Sequence, residues 1–227
     1  MVVAAGVLMA CGQHSEAQPV AAPALGALPG HATRDLVVTA SLAEVSGKLE
    51  LTYTVEDRAD DDAYVLDVSQ VVAGRTTAYV ITPIYLAWTG AGSAHLVQGI
   101  APLPPDRDMN VRVIPLAQRV PAHGKLVRTV VLPRPLAEFG PYDVPAAPGA
   151  EQPLRELVVT VMAMRPSARG FRRSAMDGTT DIYRVEAAYT LGSTEHASAR
   201  AAFPSARALR TFKLVPGTVA SFARLAP

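Results

Sequence analysis

The chain has 227 residues, 49% of them hydrophobic and 18% charged, with a net charge of +1 at pH 7 and a single cysteine. Such a length allows one large or two small domains with a packed core, and one cysteine excludes an internal disulfide, so that core must supply the stability. The near-neutral charge excludes the basic footprint of a nucleic-acid-binding domain.

The first element is an apolar run over residues 2–10. It is too short to span a bilayer as a helix and has the length of the hydrophobic part of a secretory signal. Cys11 closes it, in Leu8-Met9-Ala10-Cys11. This run resembles the lipobox of bacterial lipoproteins. The resemblance implies that residues 1–10 are a signal peptide, that cleavage falls before Cys11, and that the Cys11 thiol carries the lipid. No Lys or Arg precedes the run, so Met1 reads as an internal methionine of a longer signal. Gly12, Gln13, His14 and Ser15 follow Cys11 with no aspartate beside it, which by the same resemblance implies outer-membrane sorting. One acyl chain, at about 0.8 kcal/mol per buried methylene, holds only marginally, whereas two or three anchor firmly.

Residues 11–33 are rich in Ala, Pro and Gly, and Pro19, Pro23 and Pro29 oppose a helix. This composition predicts a tether that holds a domain off a membrane surface. Residues 34–227 read as a single β domain. Strands are expected over 36–45 and 49–56, joined by the turn Ser46-Gly47-Lys48. In the second of these, Leu49, Leu51, Tyr53 and Val55 alternate with Glu50, Thr52, Thr54 and Glu56, the pattern of a half-buried strand.

Further strands are expected over 64–72, 78–88, 95–100, 109–120, 125–132, 154–164, 181–191 and 209–215. Pro83 within 78–88 implies an edge or a bulge. Leu157, Val159, Val161 and Ala163 alternate with Val158, Thr160, Met162 and Met164, so that strand is apolar on both faces and should be central. The Ala-rich stretch 195–202 is the one helical candidate. Roughly nine or ten strands in hairpins bury their apolar faces by packing two sheets together, so the expected fold is an all-β, antiparallel immunoglobulin-like β-sandwich.

The run Leu49-Glu50-Leu51-Thr52-Tyr53-Thr54-Val55-Glu56-Asp57-Arg58-Ala59-Asp60 resembles the "L-x-L-T-x-T-V-x-N" strand and turn of bacterial Ig-like envelope domains, with Asp57 in place of the asparagine. A similar run occurs in the BsuPI-type proteinase-inhibitor fold. Both resemblances bear on fold more than on activity.

The chain has no Gly-x-Ser-x-Gly nucleophile elbow and no glycine-rich phosphate loop. Its histidines, His14, His31, His95, His123 and His196, stand singly without metal-ligand spacing. Asp57, Asp60, Asp61 and Asp62 offer the hard oxygens that calcium prefers, yet their spacing also suits a solvated turn. Arg165, Arg169, Arg172 and Arg173 form a basic segment that Pro166 and Gly170 mark as a loop. It could grip an anion by bidentate hydrogen bonds, or be a solvated loop balanced by Asp177 and Asp181. Trp88, with Tyr79 and Tyr85, suits core packing, and Ala101-Pro102-Leu103-Pro104-Pro105 a rigid loop.

The function expected from these features is a non-enzymatic binding or structural role in a lipid-anchored envelope protein, without cofactor or metal. Its partners would be a membrane and an envelope protein or glycan. A proteinase-inhibitor-like module, offering loop 101–108 or 165–180 to a protease, is the alternative. A hydrolase with an atypical site is the third reading, and it requires titratable groups converging from distant positions.

Overall fold

The computed structural model describes residues 28–81, 83–90, 92–101, 113–132, 136–141, 152–188, 190–203 and 213–215. Cys11, the apolar run, most of the tether and the Pro-rich segment from Pro102 lie outside them. The described residues form an all-β fold with no helix. In chain order the strands are β1 (His31–Ala32), β2 (Leu36–Val45), β3 (Lys48–Asp57), β4 (Ala63–Ala73), β5 (Thr76–Ile81), β6 (Tyr85–Gly90), β7 (Ser93–Gln98), β8 (Leu116–Val120), β9 (Lys125–Leu132) and β10 (Leu136–Ala137). They continue as β11 (Gln152–Pro153), β12 (Glu156–Met164), β13 (Arg172–Ala175), β14 (Ile182–Glu186), β15 (Thr194–Ala202) and β16 (Lys213–Val215).

Strands β2, β3 and β9 make a three-stranded antiparallel sheet. Ser46 and Gly47, both at positive φ (48° and 76°), close the β2–β3 hairpin in two residues, the geometry that matches the twist of the strands it joins. As the alternation predicts, Leu49, Leu51, Tyr53 and Val55 are fully buried, each fully buried apolar side chain contributing about 1.5–3 kcal/mol. The outer face carries Thr52 and Thr129, whose hydroxyls are 3.2 Å apart, and the exposed Val127 and Val131.

The inner face packs against a ten-stranded sheet ordered β1-β15-β12-β4-β8-β14-β13, with β5 on β4 and the β6–β7 pair on β12. Leu157, Val159, Val161 and Ala163 of β12 meet the β3 residues in one core, together with Val65 and Leu96. On the other face of the same sheet Met162 and Met164 join Tyr64, Leu66, Val97, Ile100, Ala117 and Val185 in a second core. β12 is therefore buried on both faces and central, flanked by β15 on one side and by β7 and β4 on the other. A third, small sheet holds β10, β16 and β11.

The arrangement differs from the sequence expectation in four respects. The large sheet is mixed, since β7 runs parallel to β12 and β1 parallel to β15. The chain can arrange this because the long passage between β7 and β12 serves as a crossover, which a parallel pair requires. Residues 195–202 are strand rather than helix: β15 pairs with β12 over nine residues, and satisfying the backbone of that edge outweighs the helix propensity of its alanines. The stretch 78–88 divides at Pro83 into β5 and β6, which pair with different neighbours; proline lacks the N–H a continuous ladder needs. The stretch 181–191 is strand only to Glu186 and then turns.

Candidate functional site

Strand period brings three charged groups together at one end of the inter-sheet layer. Asp57 follows Tyr53 and Val55 on the inward side of β3. Arg165 follows Val161 and Ala163 on the inward side of β12, and Glu195 lies opposite Ala163 in the β12–β15 register. Arg165 donates from Nη2 to Asp57 Oδ1 at 2.9 Å and from Nη1 to Asp57 Oδ2 at 3.3 Å. It also reaches the Asp61 carbonyl at 3.0 Å and Asp61 Oδ1 at 3.1 Å. Its Nε lies 2.5 Å from Glu195 Oε1, a contact without hydrogen-bond alignment. Burial pushes the Glu195 carboxyl up, against Arg165 and Thr33, which pull it down. Burial would lower the Arg165 guanidinium, but Asp57, Glu195 and Asp61 outweigh it and hold it above its ordinary value. One cation thus ties both sheets and the loop between β3 and β4.

The sequence groups its candidates by proximity along the chain, and the structure redistributes them. The four aspartates do not converge: Asp57 and Asp61 face Arg165, Asp62 accepts from Arg119 Nε at 2.6 Å, and Asp60 lies 3.1 Å from His123 Nε2. Among the described residues no group of three or more His, Cys, Asp or Glu side chains is arranged to hold a metal. Of the arginines, Arg165 is buried in the ion cluster, while Arg172 and Arg173 belong to β13. Arg173 stacks over the rings of Tyr64 and Tyr183, 5.3 and 5.5 Å from their centroids. Arg172 stands opposite Glu186, and Arg169 sits on the exposed turn before β13. The segment 165–180 thereby supplies one arm of the β13–β14 hairpin and is held by β14, with Met176 N donating to the Ile182 carbonyl at 2.9 Å. Trp88 packs against the main core.

A second buried polar group spans the sheets near the middle. Tyr53 donates its hydroxyl to Asp67 Oδ2 at 3.2 Å, and Arg128 Nε donates to the same oxygen at 2.8 Å. Arg128 also reaches Gln118 at 3.3 Å. Burial raises the Asp67 carboxyl against the pull of Arg128, and burial together with Asp67 raises the Tyr53 hydroxyl well above its ordinary value.

The third group lies on the opposite face of the large sheet, in adjacent strands. His95 of β7 stands opposite Val158, and Thr160 of β12 opposite Ser198 of β15. His95 Nε2 is 2.6 Å from Thr160 Oγ1, which is 2.6 Å from Ser198 Oγ. Thr160 is wholly buried and His95 is 9% exposed, whereas Ser198 is exposed. Burial, and then the neighbouring His196, hold the His95 imidazole below its ordinary value. A groove of about 560 Å³ opens where β1 and β15 meet β2, and Thr33, Arg34, Arg58, His196 and Ser198 are among its walls.

Sequence reading passed over all three groups' cross-strand partners. Asp67, Arg128, Glu195 and Ser198 carry no motif; for the first three the one available signal is a charged residue on the inward phase of its strand, and Ser198, exposed on the outward phase of β15, offers none. Comparison of the chain with protein-family models, with curated proteins and with solved structures finds no match.

Proposed function

We propose that this is an envelope protein of the bacterial lipoprotein type, held on a membrane by acyl chains on Cys11 and displaying its sandwich domain for binding. The observation that carries this reading is Leu8-Met9-Ala10-Cys11 at the end of an apolar run, followed by the Pro- and Ala-rich stretch to about residue 33. Outer-membrane sorting follows from the absence of aspartate after Cys11. An immunoglobulin-like relationship is supported by the run from Leu49 to Asp60 and by the stacking of β3 on β12. Tying both sheets through Arg165 gives the domain a rigid frame without a disulfide, which suits display at a surface.

Metabolic labelling with an alkyne fatty acid tests the proposal, in a bacterial host and with the chain given a basic start. Wild type takes the label and floats with membranes, while Cys11→Ser takes none and becomes soluble. Equal labelling of the two chains, or no label on wild type, overturns it.

A further inference from the structure

We propose that Ser198 is the nucleophile of an acyl-transfer site, with Thr160 and His95 as its proton relay and an ester bearing an anionic group as its class of substrate. This goes beyond membrane display and gives the domain a chemistry that the sequence, with no nucleophile elbow, does not announce. A hydroxyl pair across two strands is ordinary sheet stabilisation. Here the pair ends on an imidazole, through two contacts of 2.6 Å. The far end of the row is buried and basic, and the near end is an exposed hydroxyl at a groove. That is the layout of an activated nucleophile, in which a weak hydroxyl is coupled to a base within hydrogen-bond reach.

The surroundings fit the same chemistry. His196 of β15, on the far side of β12 from β7, acts electrostatically on His95, and His31 acts in the same way on His196. Burial and His196 hold the His95 imidazole below its ordinary value, which favours the neutral ring that the relay needs as its proton acceptor. Thr33 N donates to the His196 carbonyl at 3.1 Å, so the outer edge of β15 carries the backbone groups of His196. Strand alternation puts the N–H of Ser198 on that same edge, where it can donate to an oxyanion formed beside its own side chain. Arg34 and Arg58 line the groove, Arg58 being shared with Glu56 at 3.2 Å. Arginine there selects substrates with a carboxylate or phosphate.

In the acylation step, Ser198 Oγ bonds to the ester carbonyl carbon. Its proton passes to Thr160 Oγ1 while the Thr160 proton passes to His95 Nε2. The carbon–oxygen bond to the alcohol then breaks, and the departing alkoxide takes its proton from water in the open groove, leaving hydroxide there, while the proton drawn from Ser198 stays on His95. Hydroxide attacks the acyl carbon, the bond to Ser198 Oγ breaks, and the proton held on His95 returns through Thr160 to Ser198 Oγ, releasing the acid and restoring the hydroxyl. Ser198 is the catalytic residue; Thr160 and His95 act through it.

A fluorophosphonate probe on the full chain, read by intact mass and peptide mapping, is the test. The expected result is one adduct per chain, on Ser198, absent in Ser198→Ala, whose exposed position leaves the fold intact. In wild type the labelling rate rises with pH through an imidazole titration. His95→Gln lowers the rate about a hundredfold and removes that rise; Thr160→Val does the same and Thr160→Ser restores it. Turnover of 4-nitrophenyl succinate exceeds that of 4-nitrophenyl acetate, and Arg34→Ala removes the preference. Folded wild-type chain without an adduct, an adduct on another residue, or an unchanged rate and pH profile in folded His95→Gln overturns the assignment. None of these readouts depends on Cys11, so failure here and failure of the anchoring proposal are separately visible.

Discussion

Arg165 and Asp57 are 108 residues apart in the chain and meet through two hydrogen bonds, at 2.9 and 3.3 Å, between the residue that follows β12 and the last residue of β3, strands of different sheets. Planar guanidinium and planar carboxylate match in such a pair, and the match fixes orientation as well as distance. Glu195 and Asp61 complete the shell, so a single cation answers three carboxylates.

Removing that cation leaves the buried Asp57 and Glu195 carboxyls without their shared charge partner. Arg165→Met is expected to lower stability by about 3–5 kcal/mol, the loss typical of breaking a buried pair from one side. Asp61 is one-third exposed, so Asp61→Asn should cost no more than about 1 kcal/mol. Urea unfolding followed by tryptophan fluorescence separates the two, and equal midpoints would show that the cluster does not hold the sheets.

Tyr53→Phe keeps the ring that fills the core and removes only the hydroxyl that donates to Asp67. A hydrogen bond to a buried charged group is worth about 1.5–3 kcal/mol. Arg128→Met strips Asp67 of its charge partner and should cost more, about 3–5 kcal/mol. The order of the two losses in equilibrium unfolding checks the assignment.

Much of the fold is legible in the sequence where a strand buries one face, and little of it where tertiary partners decide. Leu49, Leu51, Tyr53 and Val55 announce themselves by period two, and the two apolar faces of β12 announce its central place. Ala197, Ala199, Ala201 and Ala202 favour a helix locally, yet β12 needs a neighbour along its whole length, and their small side chains fit the close pairing. The polar groups were legible only as residue types. Arg165 sits in the chain beside Arg169, Arg172 and Arg173, and one residue of strand phase sends it inward while they stay at the surface.

Gly99 lies at φ +153°, a backbone region nearly reserved for glycine, and a Cβ there would stand 2.6 Å from Cβ and Cγ of Met162. Met162 cannot retreat easily, because it is wholly buried in the second core and its sulfur accepts from Ile100 N at 3.3 Å. Gly99→Ala should therefore cost at least the backbone strain alone, about 1–3 kcal/mol. A matched Gly47→Ala, at a turn with nothing within 4 Å, meets the strain without the collision and should lose less in thermal unfolding.

The two histidines held below their ordinary value give stability a slope near neutral pH. Burial and then His196 depress His95, while burial and then His31 depress His196. Both are neutral in the folded chain at a pH where the unfolded chain has begun to take up protons. Their contribution is therefore complete above the ordinary imidazole value and is lost as pH falls through it toward the folded-state value. Glu195 and Asp67, whose carboxyls burial pushes up, act in the opposite sense, since the folded chain gains their protons first as pH falls. The informative quantity is thus the difference between chains. From pH 7.5 to pH 5.5 the urea midpoint of His95→Gln should fall less than that of wild type, because glutamine removes one depressed imidazole and leaves the carboxyls as they were. A larger fall in the variant would mean that His95 is charged in the fold, and that the row ending at Ser198 begins on a donor instead of a base.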